Sequence, residues 1–217
     1  MLYFNRLVIS SLFNTVSLLL IISLFTSCAT IRYDRQELFK NEIIKYYLNE
    51  NDTLLDIGCG QGFHDRQIAY LYPKIYFVLE DISSNNLTRL DKFFKKADDG
   101  KIIKSRYQIV LGTTDSIPLI SSAYRKILCR KTVHEFSDPS KMINELKRLL
   151  ADDGELIIVE PSPEYVGQKF IDCKKEFITK EKIIQMFTAE NLKLKSADTF
   201  SSNFNDIKTG NVIIFTK

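Results

Sequence analysis

Three glycines alternate with other residues in LLDIGCGQGFH, residues 54–64, directly after an apolar run that carries Asp56. Glycine lacks a Cβ, so the backbone can turn sharply at Gly58 and Gly60 and can approach a ligand closely. A helix that begins after such a turn presents free N–H groups and a partial positive charge. The stretch therefore predicts a turn that binds a dinucleotide, a phosphate or an adenosyl group.

The spacing of the glycines narrows the choice of ligand. Gly58, Gly60 and Gly62 follow the pattern GxGxG, whereas dinucleotide sites carry GxGxxG and P-loops carry a following GK[ST]. Asp56, just ahead of the first glycine, suits a ligand that carries an amino group better than it suits a pyrophosphate. The turn thus favours an adenosyl ligand with an amino group.

A second acidic position follows the next apolar run, in YFVLEDIS, residues 76–83. Successive side chains of a strand point to opposite faces, so we expect only one of Glu80 and Asp81 to reach a given ligand. Asp81 stands just beyond the apolar run, where a carboxylate can accept hydrogen bonds from both hydroxyls of a ribose. We therefore expect Asp81 to hold the ribose and Glu80 to face the solvent or a helix on the other side.

Alternating strands and helices from residue 33 onward must position these residues. Strands are predicted at 53–57, 75–79, 107–111, 126–129, 156–159, 192–199 and 211–216. Helices are predicted at 34–49, around 68–72, at 84–97, from Asp138 to Gly154, and at 179–191. Apolar strands joined by helices indicate an α/β fold with a doubly wound, seven-stranded, mostly parallel sheet and a C-terminal antiparallel strand pair. Ligands of such sheets lie outside the carboxyl ends of the strands, where the glycine turn and Asp81 fall.

The composition limits the number of domains and the kinds of partner. With 217 residues and 45% apolar content, the chain can build one full α/β core, and a second domain is not expected. The net charge of +3 is spread along the chain, so nucleic acid is not a predicted partner. No metal site and no particular oligomeric state are predicted.

The N-terminus carries the pattern of a signal segment. Arg6 precedes residues 7–31, which carry no charge and are mostly apolar. The tetrapeptide FTSC resembles a bacterial lipobox, in which Cys28 is lipidated and becomes the new N-terminus. The apolar stretch is also long enough to span a bilayer as an uncleaved anchor that keeps the domain facing the cytosol. We expect residues 1–28 to attach the protein to the membrane and residues 33–217 to form the folded domain.

The chain resembles the class I S-adenosylmethionine-dependent methyltransferases. The matching blocks, in family order, are LLDIGCGQG, LEDIS, LGTTDSIPL, ILCRKTVHEFSDP, INELKRLLADDGELIIVEP and EFITKEKIIQMF. They cover roughly residues 34–217. The resemblance implies a Rossmann-like methyltransferase fold, S-adenosylmethionine as cofactor, and methyl transfer to a small-molecule or lipid-like acceptor.

The resemblance also implies which residues hold the cofactor. Those around its methionine part would be Asp56, Gly58, Cys59 and Gly60. Those beside its adenine would be Ile82, Thr113, Thr114 and Asp115, although many relatives carry an aspartate in place of Thr113. Asp81 would hold the ribose, and Arg130 would lie near the ligand at the end of the fourth strand.

Methyl transfer needs positioned reactants, and it needs a base only where the acceptor carries a proton. His134 in VHEF follows the fourth strand and is the candidate base. Glu160, after the fifth strand, is a second candidate. Both residues can equally serve as structural partners of loop or helix groups, and the sequence leaves these alternatives open.

The cysteines leave a second function open. Apart from Cys28 the chain has Cys59, Cys129 and Cys173, an odd number for an exported protein, and we expect Cys59 and Cys129 to stay reduced. An exported domain would meet S-adenosylmethionine, which is made in the cytosol, only if the envelope held a pool of it. The alternative to a membrane-attached methyltransferase is therefore a non-catalytic lipoprotein that binds a nucleoside-like ligand or a protein partner through the same fold.

Overall fold

The computed structural model describes residue 37 and residues 39–96, 106–204 and 207–217. Its compact units are Met1–Phe39 and Lys40–Lys217, and the second contains every named strand and helix. The predicted signal segment with Cys28, and the predicted helix start at Asp34, lie outside the described residues. Among the residues that are described, no helix has the length and apolar composition needed to cross a membrane.

The centre of the Lys40–Lys217 unit is one seven-stranded sheet. Its strands are β1 (Thr53–Ile57), β2 (Tyr76–Asp81), β3 (Tyr107–Leu111), β4 (Tyr124–Arg130), β5 (Leu150–Pro161), β6 (Lys193–Phe204) and β7 (Ile207–Thr216). The spatial order is β3-β2-β1-β4-β5-β7-β6. Strands β1 to β5 pair in parallel, whereas β7 is antiparallel to both of its neighbours. The predicted doubly wound α/β sheet with a C-terminal antiparallel pair is confirmed.

Helices pack on the sheet and close its core. They are α1 (Phe63–Leu71), α2 (Ser84–Lys96), α3 (Pro139–Leu149) and α4 (Lys180–Ala189). All four residues of β1 after Thr53 are buried, so both faces of this central strand are covered. Each buried leucine or isoleucine contributes roughly 1.5–3 kcal/mol to folding. The predicted start of α3 is confirmed, because Asp138 accepts a hydrogen bond from the backbone N–H of Lys141 at 3.1 Å.

Two predicted helix ends are wrong. Residues 40–43 are helical, but the chain then forms a tight turn over Ile44–Tyr46 and leaves it at Tyr47, before the expected end at Asn49. Helix α3 ends at Leu149, and Gly154 lies inside β5 instead of ending the helix. A Cβ on Gly154 would lie 2.9 Å from the carbonyl oxygen of Tyr124, so a glycine at this position allows β5 to pass close to β4.

Candidate functional site

The glycine turn connects β1 to α1 and depends on backbone angles that favour glycine. Gly58, Gly60 and Gly62 have φ values of +69°, +59° and +73°. Gly58 also lacks room for a side chain, since a Cβ there would lie 2.5 Å from Cγ2 of Thr132. The turn thus runs close to the end of β4, over the carboxyl edge of the sheet.

Asp81 anchors this turn to the end of β2. Its carboxylate accepts hydrogen bonds from the backbone N–H of Gly60 at 2.9 Å and of Ser83 at 2.7 Å, and from the side-chain amide of Asn86 at 3.3 Å. Only 6% of the residue is exposed. The Asn86 amide also reaches the other carboxylate oxygen at 3.4 Å, the longest of these contacts, so a ligand hydroxyl could replace it. Asp81 therefore fixes the turn and can still contact a ligand.

Glu80 does not face the solvent or a helix, and that expectation is wrong. It is 2% exposed, and its Oε2 accepts a hydrogen bond from the N–H of Gly58 at 3.3 Å. Both Glu80 and Asp81 line one cavity, against the expectation that only one of them would reach a ligand. The glycine turn crosses the end of β2, where the N–H of Cys59 donates to the Glu80 carbonyl at 2.9 Å. The turn therefore encloses both acids. Burial raises the pKa of Glu80 to about 7.

A cavity of about 530 Å³ opens beside the turn, within the size range of small-molecule sites. The residues expected to hold the cofactor that line it are Gly58, Asp81, Ile82 and Thr114. The lining residues that sequence reasoning did not select include Glu80, Ser83, Asn86, Lys131, Thr132 and Glu135. Within the described part of the chain, the expected residues outside this lining are Asp56, Cys59, Gly60, Thr113, Asp115 and Arg130.

The loop after β3, residues 113–116, is held by hydrogen bonds among its own residues. The hydroxyl of Thr113 donates to Asp115 and to the carbonyl of Ser116, each at 3.1 Å. Asp115 pairs with Lys141 on α3 at 2.6 Å. These contacts hold the loop so that Thr114 lines the cavity, while its two neighbours lie outside the lining.

Arg130 forms a buried ion pair that sequence reasoning missed. Its Nε and Nη2 donate to Glu42 at 2.6 and 3.0 Å, and the hydroxyl of Tyr46 also donates to Glu42. The same hydroxyl lies 2.9 Å from Nε2 of His64, the second residue of α1. Burial opposes the charge of Glu42, but the charge and hydrogen bonds of Arg130 lower its pKa to about 2. Glu42 and Arg130 are 88 positions apart, so no local pattern indicates the pair.

Asp56 and Asp65 form a buried carboxyl pair beneath the glycine turn. They are 3% and 0% exposed, and the two carboxyls interact with each other; among the described residues no other side chain donates a hydrogen bond to Oδ1 of Asp56 or to the carboxyl oxygens of Asp65. Burial and the neighbouring charge of Asp65 raise the pKa of Asp56, and burial raises the pKa of Asp65. Carboxyl groups left in this state favour a cation, because an opposite charge offsets the cost of burying theirs.

His134 and Glu160 form a second buried pair at the ends of β4 and β5. Nδ1 of His134 lies 3.0 Å from Oε2 of Glu160, whose Oε1 also accepts the N–H of Val133 at 2.9 Å. Phe170 stacks on the imidazole with ring centroids 3.8 Å apart. The sequence left open whether His134 binds loop groups, and here its partner is the other candidate, Glu160.

His134 lines a second cavity of about 420 Å³. The two cavities share Lys131 and Glu135, so they are neighbours. Lys131 has a φ of +54°, and burial together with the charge of Arg130 lowers its pKa to about 8. Tyr165 and Phe170, from the segment after β5, also line this second cavity. The end of β4 therefore supplies side chains to both cavities.

Comparisons with known proteins agree with this architecture. The family profile described as "Methyltransferase domain" matches residues 48–210. A malonyl-[acyl-carrier protein] O-methyltransferase of Legionella pneumophila is 26% identical over 123 residues, which cover 57% of this chain and 41% of that protein. The uncharacterized methyltransferase YcgJ of Bacillus subtilis is 37% identical over 107 residues, 49% of this chain and 40% of that protein. The chain thus spans about two fifths of the length of these curated relatives.

Solved structures share the fold. A crystal structure of an S-adenosylmethionine-dependent methyltransferase from Aquifex aeolicus has a TM-score of 0.67 with 19% identity, and the match covers 83% of this chain and 91% of that one. S-adenosylmethionine is the cofactor that the family and this fold indicate. Asp81 lines the cavity and fits its ribose. Asp56 and Asp65 lie outside that lining, beneath the glycine turn, where the charge of their buried carboxyls suits its amino group. The chain belongs to the methyltransferase domain family, with the class I S-adenosylmethionine-dependent fold.

Proposed function

We propose that this protein is a membrane-attached methyltransferase that transfers the methyl group of S-adenosylmethionine to a small-molecule or lipid-like acceptor. The observation that carries the proposal is the pair of neighbouring cavities at the carboxyl edge of the sheet. One is lined by the glycine turn and Asp81, and the other by His134 held on Glu160. Together they offer a cofactor site next to an acceptor site.

Residues of the first cavity and the turn would bind and orient the cofactor. When bound, S-adenosylmethionine supplies an electrophilic methyl group, so the protein has mainly to position the reactants and exclude water. Asp56 and Asp65 would hold the amino group, and Asp81 would accept hydrogen bonds from the ribose. Ile82 and Thr114 line the same cavity and would contact the adenine.

The second cavity would hold the acceptor. The Glu160 carboxylate can only accept in this hydrogen bond, so Nδ1 of His134 would carry the N–H and the lone pair of a neutral ring would lie on Nε2, where the acceptor could meet it. The wall also contains exposed apolar residues, Tyr165 at 67% and Ile171 at 71% exposure. Exposed apolar side chains beside a cavity support an acceptor with an apolar part.

The membrane attachment rests on the sequence of residues 1–28 alone. We propose that Cys28 is lipidated after cleavage, and an uncleaved apolar anchor is the alternative. Mass spectrometry of membrane-extracted protein separates the two, because an acylated Cys28 at the N-terminus supports the lipoprotein and an intact Met1 contradicts it.

Transfer of a labelled methyl group tests the proposed activity. The full chain in mild detergent is incubated with methyl-labelled S-adenosylmethionine and either a bacterial lipid extract or an aqueous metabolite extract. We expect label in a product of one of these extracts and none without the protein. Retained cofactor binding with no transfer to either extract would favour the alternative, a non-catalytic binding lipoprotein.

Substitution of Asp81 by alanine is expected to weaken S-adenosylmethionine binding at least tenfold. The change removes the ribose acceptor and the anchor of the Gly60 N–H, and hydrogen bonds to a charged group contribute roughly 1.5–3 kcal/mol each. Isothermal titration calorimetry of the variant and the parent measures the effect.

Glu80→Gln is the matched control on the neighbouring position. The pKa of Glu80 is about 7, so near neutral pH its carboxyl is partly protonated and the isosteric amide resembles that form. We expect the affinity to change by less than about threefold, the size of a weak neutral hydrogen bond. A larger loss of affinity in Glu80→Gln than in Asp81→Ala would show that Glu80, and not Asp81, holds the ribose.

Affinity for S-adenosylmethionine is expected to rise with pH between about 5 and 8. The raised pKa values of Asp56 and Asp65 keep these carboxyls protonated at low pH, whereas the cationic amino group binds the ionised forms. The nearby positive charge is that of Arg130, which lowers the pKa of both aspartates. Cofactor binding should therefore release protons, and calorimetry in buffers of different ionisation enthalpy measures them.

Asp65→Asn should flatten this pH dependence and weaken binding about tenfold at pH 8, the effect of one charged hydrogen bond. An acid whose pKa is raised on folding contributes stability at low pH and loses it as the pH rises through the folded-state value. The variant should therefore melt at a higher temperature than the parent above about pH 6, the pKa of Asp65. An unchanged pH profile in Asp65→Asn would exclude the carboxyl pair as the amino-group site.

A further inference from the structure

Three side chains that can ligate a metal converge at the mouth of the second cavity. One ligand atom each of His134, Glu135 and Cys173 lies within 4.8 Å of the other two. Nε2 of His134 is 3.5 Å from Oε1 of Glu135, a separation that suits two ligands of one ion. The thiol of Cys173 donates a hydrogen bond to the same glutamate. Imidazole nitrogen, carboxylate oxygen and thiolate sulfur are the three ligand types that zinc binds.

The surroundings of His134 match those of a metal-bound histidine. A ligating histidine almost always gives its other ring N–H to a carboxylate, which fixes the tautomer and the ring orientation. Glu160 does this at Nδ1, 3.0 Å away, and is itself held by the N–H of Val133. Phe170 covers the face of the ring, whereas the lone pair of Nε2 lies in the ring plane, on the side of Glu135.

The charges of the site also suit a divalent cation. Glu135 and a deprotonated Cys173 carry two negative charges, which balance one divalent ion, and the histidine is neutral. All three ligands line the second cavity, so the ligand set is open on the side where an acceptor would lie. Zinc sites with three protein ligands and an open fourth position are typical of catalytic centres.

We propose that His134, Glu135 and Cys173 form a zinc-type metal site whose open position faces the second cavity. Binding would replace the thiol proton of Cys173 by the ion and release that proton. The open position would hold the nucleophilic atom of the acceptor, so the proposal rests on the proposed function and names its acceptor as a thiol or a hydroxyl compound. A metal ion lowers the pKa of such a group.

Cobalt provides the probe, because a cobalt–thiolate bond gives a charge-transfer absorption. The full chain is freed of metal with a chelator and titrated with Co²⁺, and then Zn²⁺ is added in competition. We expect one equivalent of Co²⁺ to produce the charge-transfer band and Zn²⁺ to abolish it. The band should be lost in Cys173→Ser and kept in Cys59→Ser, the matched thiol control. A band that survives in Cys173→Ser, or no band at all, would overturn the proposal.

Glu160→Gln tests the orientation of the histidine. Loss of such a partner typically lowers metal affinity about 10–100-fold, and we expect that decrease here. Since Glu160 is buried, Glu135→Gln at a half-exposed position gives a second variant, which should also weaken Co²⁺ binding at least tenfold. Equal Co²⁺ affinity in the folded variants and the parent would overturn the site.

The two proposals fail separately. S-adenosylmethionine titration of the same metal-free protein reports on the cofactor cavity, whose lining includes Glu135 but neither His134 nor Cys173. Cofactor binding without a cobalt band would contradict the metal site alone. A cobalt band without cofactor binding would contradict the proposed methyltransferase function and leave the ligand set in place.

Discussion

Replacing Glu42 by glutamine is expected to lower the free energy of unfolding by about 3–5 kcal/mol. The carboxylate is 3% exposed and carries two hydrogen bonds from Arg130 as well as one from Tyr46. Its removal leaves the guanidinium buried without an opposite charge, which is the costly way to break a buried pair. Urea or thermal unfolding of the full chain, followed by circular dichroism, measures the loss.

The loss should depend on pH in a defined direction. The pKa of Glu42 is lowered on folding from 4.5 to about 2. An acid whose pKa is lowered contributes stability above its unfolded value and loses it as the pH falls through the folded value. The difference between Glu42→Gln and the parent should therefore be constant above about pH 5 and should shrink between pH 4.5 and pH 2.

An exposed pair supplies the control. Arg125 and Asp153 form an ion pair in which the side chains are 74% and 61% exposed. Surface pairs contribute about 0–1 kcal/mol, so Asp153→Asn should change stability within that range. If Glu42→Gln lowers the free energy of unfolding no more than Asp153→Asn does, the ion pair of Glu42 and Arg130 does not stabilise the site.

His134→Gln is expected to slow methyl transfer by about 10²–10⁴-fold, the usual contribution of a positioned acid–base group. His134 lines the second cavity, and Nε2 is the ring nitrogen that does not contact Glu160, so it is the atom that would take a proton or bind an ion. The affinity for S-adenosylmethionine should stay unchanged, since His134 is not among the residues that line the first cavity.

A split between rate and binding distinguishes this role from a structural one. The rate is measured by label incorporation, and binding is measured by calorimetry on the same preparation. A fall in both would indicate that the imidazole only supports the fold. An unchanged rate would show that the acceptor needs no help from His134.

The architecture could be predicted from the sequence because its signals are local. Apolar runs of strand length, helical spacing between them, and a GxGxG turn after the first strand all lie within short windows. The predicted lengths of the strands and helices were less accurate, as Gly154 shows: it was expected to end a helix and lies inside β5. Its place in β5 depends on an approach to Tyr124, thirty positions away in the chain, and no local rule detects such a contact.

The site was predictable only where one strand end defines it. Asp81 follows directly from its place after an apolar run, and it lines the cavity. Glu80 was misplaced because strand alternation ignores a turn that folds over the strand end. Glu42 could not be predicted because its role depends on Arg130, which is distant in the chain and near it only in the folded protein. In the same way, the role of Asp65 depends on its contact with Asp56. Buried charge pairs of this kind can be recognised only in the three-dimensional structure.

Calorimetric titration of the full chain with S-adenosylmethionine tests the central claim most directly. The glycine turn, the Asp56 and Asp65 pair and Asp81 together predict saturable binding of one equivalent with micromolar affinity, which corresponds to about −8 kcal/mol. Asp81→Ala, titrated in parallel, should bind at least tenfold more weakly. Absence of both heat and thermal stabilisation at millimolar cofactor would contradict the account.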